Sequence, residues 1–298
     1  MVQFELSDDI IDICMDNVFK AVFTKDRPES RGALSTLLSV FTGRKLAVVT
    51  ITANEPAIDN IRDRQIRFDI NCKAENGELI NVEMTLNPDT FEPIRLEFHA
   101  GKLFIGQDIR GEDKKYNDLK PAYQISFLVN KSFFEDSEIV HTFEYYDPKN
   151  KVSLNGRTRI ITVELGKLDQ IAGKKSVEQM TTAERWAYFF RYTPDVTKRQ
   201  TINKILQIEE GIEMASEVLI SISKDEEERA WLRSREKYIL DNQSLIATAR
   251  WEGRNEGRNE GRNESLRDVA SNLKKSGIAT PAQIQELTGL SLDDIARL

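Results

Sequence analysis

Asp69 and Glu83 are the two acids whose spacing can bring carboxylates together. They flank Glu75-Asn76-Gly77, a hairpin signal between strand-like runs at 66–72 and 79–86. If that signal is a three-residue loop with Gly77 left-handed, Ala74 pairs with Glu78. Counting back along the ladder then sets Asp69 opposite Glu83, with Cβ atoms about 5 Å apart. A two-residue loop would put the two acids on opposite faces. Carboxylates that converge on one ion, with a group to orient water, are what metal-assisted phosphodiester hydrolysis requires. The plainer reading is two acids on a solvated strand face, with Phe68, Ile70, Val82 and Met84 filling the other.

The rest of the composition narrows the metal. Cys14 and Cys72 are too few for a thiolate site or a disulfide framework, and they suit a reducing cytoplasm. His99 and His141 are equally poor material for a histidine-bound ion. Oxygen ligands select hard cations, so Mg²⁺ or Mn²⁺ is expected. The net charge of −7 argues against a coat protein for nucleic acid, but it leaves room for one basic groove. With 298 residues, 40% hydrophobic and 31% charged, the chain reads as an ordinary globular protein. No basic n-region opens it, and no run of about 18 apolar residues predicts a membrane span.

Positioning the acids falls to the elements around them. Apolar spacing predicts helices over 10–23 and 33–41, the second stopped by Gly43. Strands follow at 46–52, 66–72 and 79–86, a helix at 91–109, and strands at 122–130, 139–146 and 158–165. That order predicts an α/β sandwich. Beyond Lys167 the pattern is helical, with capping boxes at Thr181/Glu184 and Ser223/Glu226. Trp186, Tyr188, Phe189 and Phe190 could stack bases, but their helical spacing favours a buried face.

Asp16-Asn17-Val18-Phe19-Lys20, Phe68-Asp69-Ile70, Asn81-Val82-Glu83-Met84, Arg95 and Glu164-Leu165-Gly166-Lys167 follow one another in order. This set resembles the Rpn-like branch of the PD-(D/E)xK nuclease superfamily, described as recombination-promoting nucleases or transposase-like proteins. The resemblance covers about residues 10–195 and returns in the tail at Thr288-Gly289-Leu290-Ser291. It implies a restriction-endonuclease-like sandwich over 1–170 with a helical C-terminal extension over 171–250. It also implies a divalent-metal-dependent DNA endonuclease with a role in recombination or mobile-element biology. Asp69 and Glu83 would then bind the metal, with Asp16 as a third acid.

The superfamily carries Lys, or in this branch Gln, two residues after the glutamate. Here that residue is Thr85, which reaches less far and carries no charge. Lys102 or Arg95 on the next helix could take over the role. Lys20 and Arg95 could also meet DNA phosphates, and plain surface cations are as good a reading of both. His99 is assigned to packing or groove lining, with general-base work as the lesser option. A relative that binds DNA or protein but cuts poorly, because of Thr85, is the rival functional reading.

Gly253-Arg254-Asn255-Glu256 is repeated twice more through Glu264. A period of four stacks like charges at i,i+4, and each glycine costs about 1 kcal/mol in a helix. Residues 251–264 therefore read as a flexible linker, or else as a helix whose glycine lane admits a partner helix. Residues 265–298 read as three short helices punctuated by Gly277, Thr280-Pro281, Gly289 and Ser291. With four cations among them, they serve equally as a DNA-reading module or as a docking or homo-oligomerisation element.

Overall fold

The computed structural model describes residues 2–52, 69–109, 115–171 and 174–298. Two compact units divide the chain, Met1–Glu236 and Lys237–Leu298. The first unit opens with helices α1 (Asp16–Thr24) and α2 (Pro28–Thr42), then strands β1 (Val48–Ile51), β2 (Ile70–Ala74) and β3 (Leu79–Thr85). Helix α3 (Glu92–Ile105) leads to β4 (Ala122–Leu128), β5 (Val140–Phe143), the short hairpin β6 (Tyr146–Asp147) and β7 (Val152–Ser153), and β8 (Thr158–Glu164). Helices α4 (Leu168–Ile171), α5 (Thr182–Tyr192), α6 (Arg199–Leu206) and α7 (Glu210–Lys224) complete the unit, and α8 (Glu226–Ser276) begins in it.

Six strands form one sheet in the order β1-β2-β3-β4-β8-β5. β1 to β3 are antiparallel, β3, β4 and β8 run parallel, and β5 is antiparallel to β8. The parallel step from β3 to β4 requires a crossover, and α3 supplies it. The sheet's apolar face carries Ile80, Val82, Ile125, Phe127, Ile161 and Val163, all buried. Phe127 meets Phe19 of α1, Phe41 of α2 and Phe190 of α5 with ring centroids 6.2, 5.1 and 4.8 Å apart. The predicted sandwich is therefore present, and the aromatic run of α5 is core. Helix α7 lies so close to α2 that a Cβ on Gly211 would stand 2.6 Å from Thr36 Cβ. Helices beyond residue 170 thus share the first unit's core, so that unit extends well past the expected end at 170.

The opposite face is polar. Asn81 of β3, Gln124 and Ser126 of β4 and Thr162 of β8 are buried under the α3 side. Asn81 Nδ2 donates to Gln124 Oε1 at 2.7 Å, and Gln124 Nε2 to Ser126 Oγ at 3.1 Å. This chain of bonds satisfies the Asn81, Gln124 and Ser126 groups it joins, while Asn81 Oδ1 and Thr162 Oγ1 find no partner among the described residues.

Several elements depart from the sequence expectation. The helix predicted over 10–23 begins only at Asp16. Ile10, Ile11 and Ile13 are buried from an irregular segment, and Ile11 N–H donates to Ser223 Oγ at 3.2 Å. Ser223 therefore does not cap α8: it lies inside α7 and donates to Leu219 O at 2.8 Å. Asp225 takes the capping role, accepting from Glu228 N–H at 2.9 Å. Residues 66–68 of the second predicted strand lie outside the described residues.

In the second unit, α8 continues through all three Gly-Arg-Asn-Glu repeats, contrary to the linker reading. Helix already formed on both flanks removes the nucleation cost that makes an isolated Gly-rich helix unstable. Helices α9 (Pro281–Thr288) and α10 (Leu292–Arg297) follow as expected, with Gly277 and Gly289 left-handed and Thr280 and Ser291 as N-caps. Ala270, Ile284 and Ile295 form their small core. Among the described residues no helix is long and apolar enough to cross a membrane.

Candidate active site

Gly77 sets the register of the hairpin. Its φ of 85° is the left-handed conformation a three-residue loop needs, and its N–H donates to Ala74 O at 2.9 Å. Ala74 N–H then reaches Glu78 O at 2.9 Å, and Ile70 pairs with Val82. One step further in the same register, Asp69 stands opposite Glu83. The Met84 N–H donates to Asp69 Oδ2 at 3.1 Å and fixes that carboxylate beside the strand.

Helix α1 brings Asp16 and Lys20 to the same place. Lys20 Nζ is 2.8 Å from Asp16 Oδ1 and 3.0 Å from Asp69 Oδ1, so one ammonium bridges two acids. Helix α3 approaches from the other side with Arg95 and His99 one turn apart. His99 Nδ1 stands 2.7 Å from Glu83 Oε1, and Asn81 Nδ2 donates to the same oxygen at 3.0 Å. A ring nitrogen facing a carboxylate at this distance carries the proton. Arg95 Nη1 is 3.4 Å from Glu83 Oε2, while its Nη2 donates to Thr85 Oγ1 at 3.0 Å. Glu92, 3% exposed, holds the guanidinium from behind through Nε at 3.0 Å and Nη2 at 2.5 Å. The Thr85 hydroxyl, two residues after Glu83, therefore accepts a hydrogen bond from a cation of the next helix.

Lys102 is not part of this group. Among the described residues no ion pair joins it to Asp16, Asp69 or Glu83, although it shares α3 with Arg95 and His99. His99, assigned to packing by sequence, and Asn81 and Glu92, not singled out, are the residues that reasoning missed. Their signals were weak but present. Asn81 shares a strand face with Glu83, and Arg95 and His99 are spaced i,i+4 on a helix.

The two acids are held in opposite states. Burial raises Asp69 first, then the Asp16 charge; Glu83 adds to this and Lys20 opposes it, and the carboxyl is pushed up to about 7. For Glu83 burial acts in the same sense, but the His99 bond and the Arg95 charge outweigh it and hold the group below the usual range. Asp69 therefore shares its proton with solvent near neutrality while Glu83 stays charged.

A sign follows for stability. A carboxyl raised on folding stabilises fully below about pH 4, and that contribution is lost as pH climbs through about 7. In chelator, Asp69→Asn should match wild type near pH 4 and exceed it at pH 8 by ~1–3 kcal/mol. Urea unfolding of both proteins between these limits checks this; a gap that does not change with pH would exclude the shift.

The chemistry of the donors fits a hard divalent ion. Asp69 and Glu83 are oxygen donors whose charges act on each other, and the buried Glu83 Oε2 accepts no hydrogen bond among the described residues. Among those residues, however, no three acids or histidines already surround one point, because Lys20 occupies the space between Asp16 and Asp69 with its own charge.

A hairpin bearing an aspartate and a glutamate in register, toward one edge of a mixed sheet with helices on both faces, is the layout of a restriction-endonuclease-like nuclease core. The chain belongs to the family of PD-(D/E)XK nuclease family transposases, whose model matches residues 13–249. The match takes in every element from α1 to α7 and stops before the glycine repeats. Nucleases of this class generally work with divalent metals. Comparisons with curated proteins and with solved structures returned no match.

Proposed function

We propose that this protein is a DNA endonuclease dependent on Mg²⁺ or Mn²⁺, acting in recombination or in the movement of genetic elements. The observation that carries the reading is the Asp69–Glu83 pair with the Arg95 guanidinium against it. Asp69 and Glu83 would hold the ion, with Asp16 as the third acid near it. When bound, the ion supplies charge neutralisation at the scissile phosphate and acidifies water.

The protein's own groups do the rest. His99 and Asn81 fix the Glu83 carboxylate, leaving Oε2 turned toward the site. Thr85 accepts a hydrogen bond from Arg95 and so aims the guanidinium, while Glu92 prevents it from swinging away. Arg95 thereby stands where the superfamily's lysine would stabilise developing phosphate charge. Lys20, which holds Asp16 and Asp69 together, would keep its pairing with Asp16 and could present its ammonium to a phosphate of the bound strand.

A second reading is a relative that binds DNA without cutting it efficiently. It is favoured by the Lys20 ammonium, which already neutralises Asp16 and Asp69 without any ion. Supercoiled circular DNA separates the two. The nuclease nicks or linearises it in Mg²⁺ and not in chelator. The binding module retards it on a gel in both and leaves it intact.

A further inference from the structure

On the α3 side of the sheet, against β8 and the segments flanking β5, lies a cavity of about 330 Å³. This is the lower end of the roughly 300–1,000 Å³ found for small-molecule pockets. Its walls are mostly apolar and aromatic, with Phe133, Phe134, Phe143 and Tyr145 among them. Phe143 and Tyr145 are 41% and 56% exposed, so their faces are open to a ligand at the cavity. We propose that this cavity receives a nucleobase of the strand being cut, swung out of the stack next to the scissile phosphate. This rests on the nuclease reading and names what its substrate must present.

Four observations support this occupant. Glu92 ties the cavity to the proposed site, because it lines the cavity and also grips Arg95, which reaches Glu83. A nucleotide adjacent to the reacting phosphate is the ligand nearest to hand. The aromatic faces offer stacking, which any base accepts. Thr162, 3% exposed, also lines the cavity, and its hydroxyl finds no hydrogen-bond partner among the described residues. A buried hydroxyl left unpaired costs free energy unless a ligand completes it, and the polar edge of a base can do so.

The fourth is the way the wall is built. The fully buried Glu164 carboxylate accepts from the Phe133 N–H and, at 3.4 Å, from the Phe134 N–H, while Lys167 Nζ pairs with it at 2.6 Å. The Glu164-Leu165-Gly166-Lys167 sequence thus latches the aromatic segment to the end of β8. The rings are placed before any ligand arrives, which lowers the entropy lost on binding. Charge agrees: three carboxylates line the cavity, Glu92 and Glu144 paired with Arg95 and Arg159 and Glu97 beside them, so a neutral base is admitted where a phosphate would face carboxylates.

The test compares two DNA duplexes that differ by one unpaired 2-aminopurine, with binding followed by anisotropy in chelator. The full chain should prefer the duplex with the unpaired base by roughly five- to a hundredfold, the range that stacking one base on an aromatic side chain spans. The 2-aminopurine emission should fall on binding as the base stacks. Thr162→Val, which keeps the side-chain shape, and Tyr145→Ala, at an exposed ring, should each cut that preference at least threefold. Equal affinity for the two duplexes, or a preference that both variants retain, overturns the proposal even if the protein nicks plasmid in Mg²⁺. In that case an apolar side chain of a partner protein is the better occupant. Failure to bind or cut either DNA removes the nuclease reading itself.

Discussion

Replacing Glu83 by Gln, or Asp69 by Asn, should lower Mg²⁺-dependent DNA cleavage by at least about a thousandfold while leaving the fold intact. The reason lies in what each substitution keeps. A glutamine side chain in place of Glu83 would still reach His99 and Asn81, and an asparagine in place of Asp69 would still lie beside Met84 N–H, so packing changes little. What disappears is negative charge that no neighbour replaces, since Asp16 is already committed to Lys20. A single preorganised electrostatic contact is worth roughly a hundred- to a thousandfold in rate, and losing a metal ligand adds the loss of the ion. Single-turnover cleavage, measured with circular dichroism as the control for folding, is the assay. Cleavage at wild-type rate by either variant would remove these acids from the mechanism.

The second large effect concerns the cation. Arg95→Ala should slow the chemical step by about a hundred- to a thousandfold, and Arg95→Lys should recover only part, because lysine lacks the fork that joins Thr85, Glu83 and Glu92 at once. Lys102→Ala should change the rate by less than about threefold, within the small effect expected of a side chain away from the site. Thr85→Lys should not accelerate cleavage, since its ammonium would crowd a guanidinium already in place and remove that group's acceptor. Rates for the four variants at saturating Mg²⁺ decide this. A silent Arg95→Ala together with a dead Lys102→Ala would reverse the two roles.

The hairpin was legible because its geometry is local. Once Glu75-Asn76-Gly77 is taken as a three-residue loop, the ladder offers no freedom, and the observed left-handed Gly77 leaves Asp69 and Glu83 side by side. The choice between Arg95 and Lys102 was not legible. Seven residues apart on α3, both lie toward one side of the helix, and helical spacing alone does not say that Arg95 is the one to meet Glu83, Thr85 and Glu92. The start of α1 was misread for a related reason. Ile10, Ile11 and Ile13 are buried, but by an irregular segment reaching α7, and burial periodicity cannot tell this from a helix. Ser223 and Glu226 had capping-box spacing, yet Ser223 was already inside α7, whereas Thr181 and Glu184 form a true box at α5. The glycine repeats failed as a linker because a helix interior is set by its flanks as well as by its own propensities.

The family assignment accounts for the fold and for nuclease ancestry; whether the acids hold metal is the claim on which the proposed mechanism turns. Titrating Mn²⁺ into the purified protein at pH 8 by calorimetry tests it directly. The expected isotherm shows a site in wild type that weakens as pH falls below about 7, where protons compete for Asp69. That site should vanish in the double variant Asp69→Asn, Glu83→Gln. A double variant that still binds Mn²⁺ with wild-type affinity and stoichiometry would contradict the account.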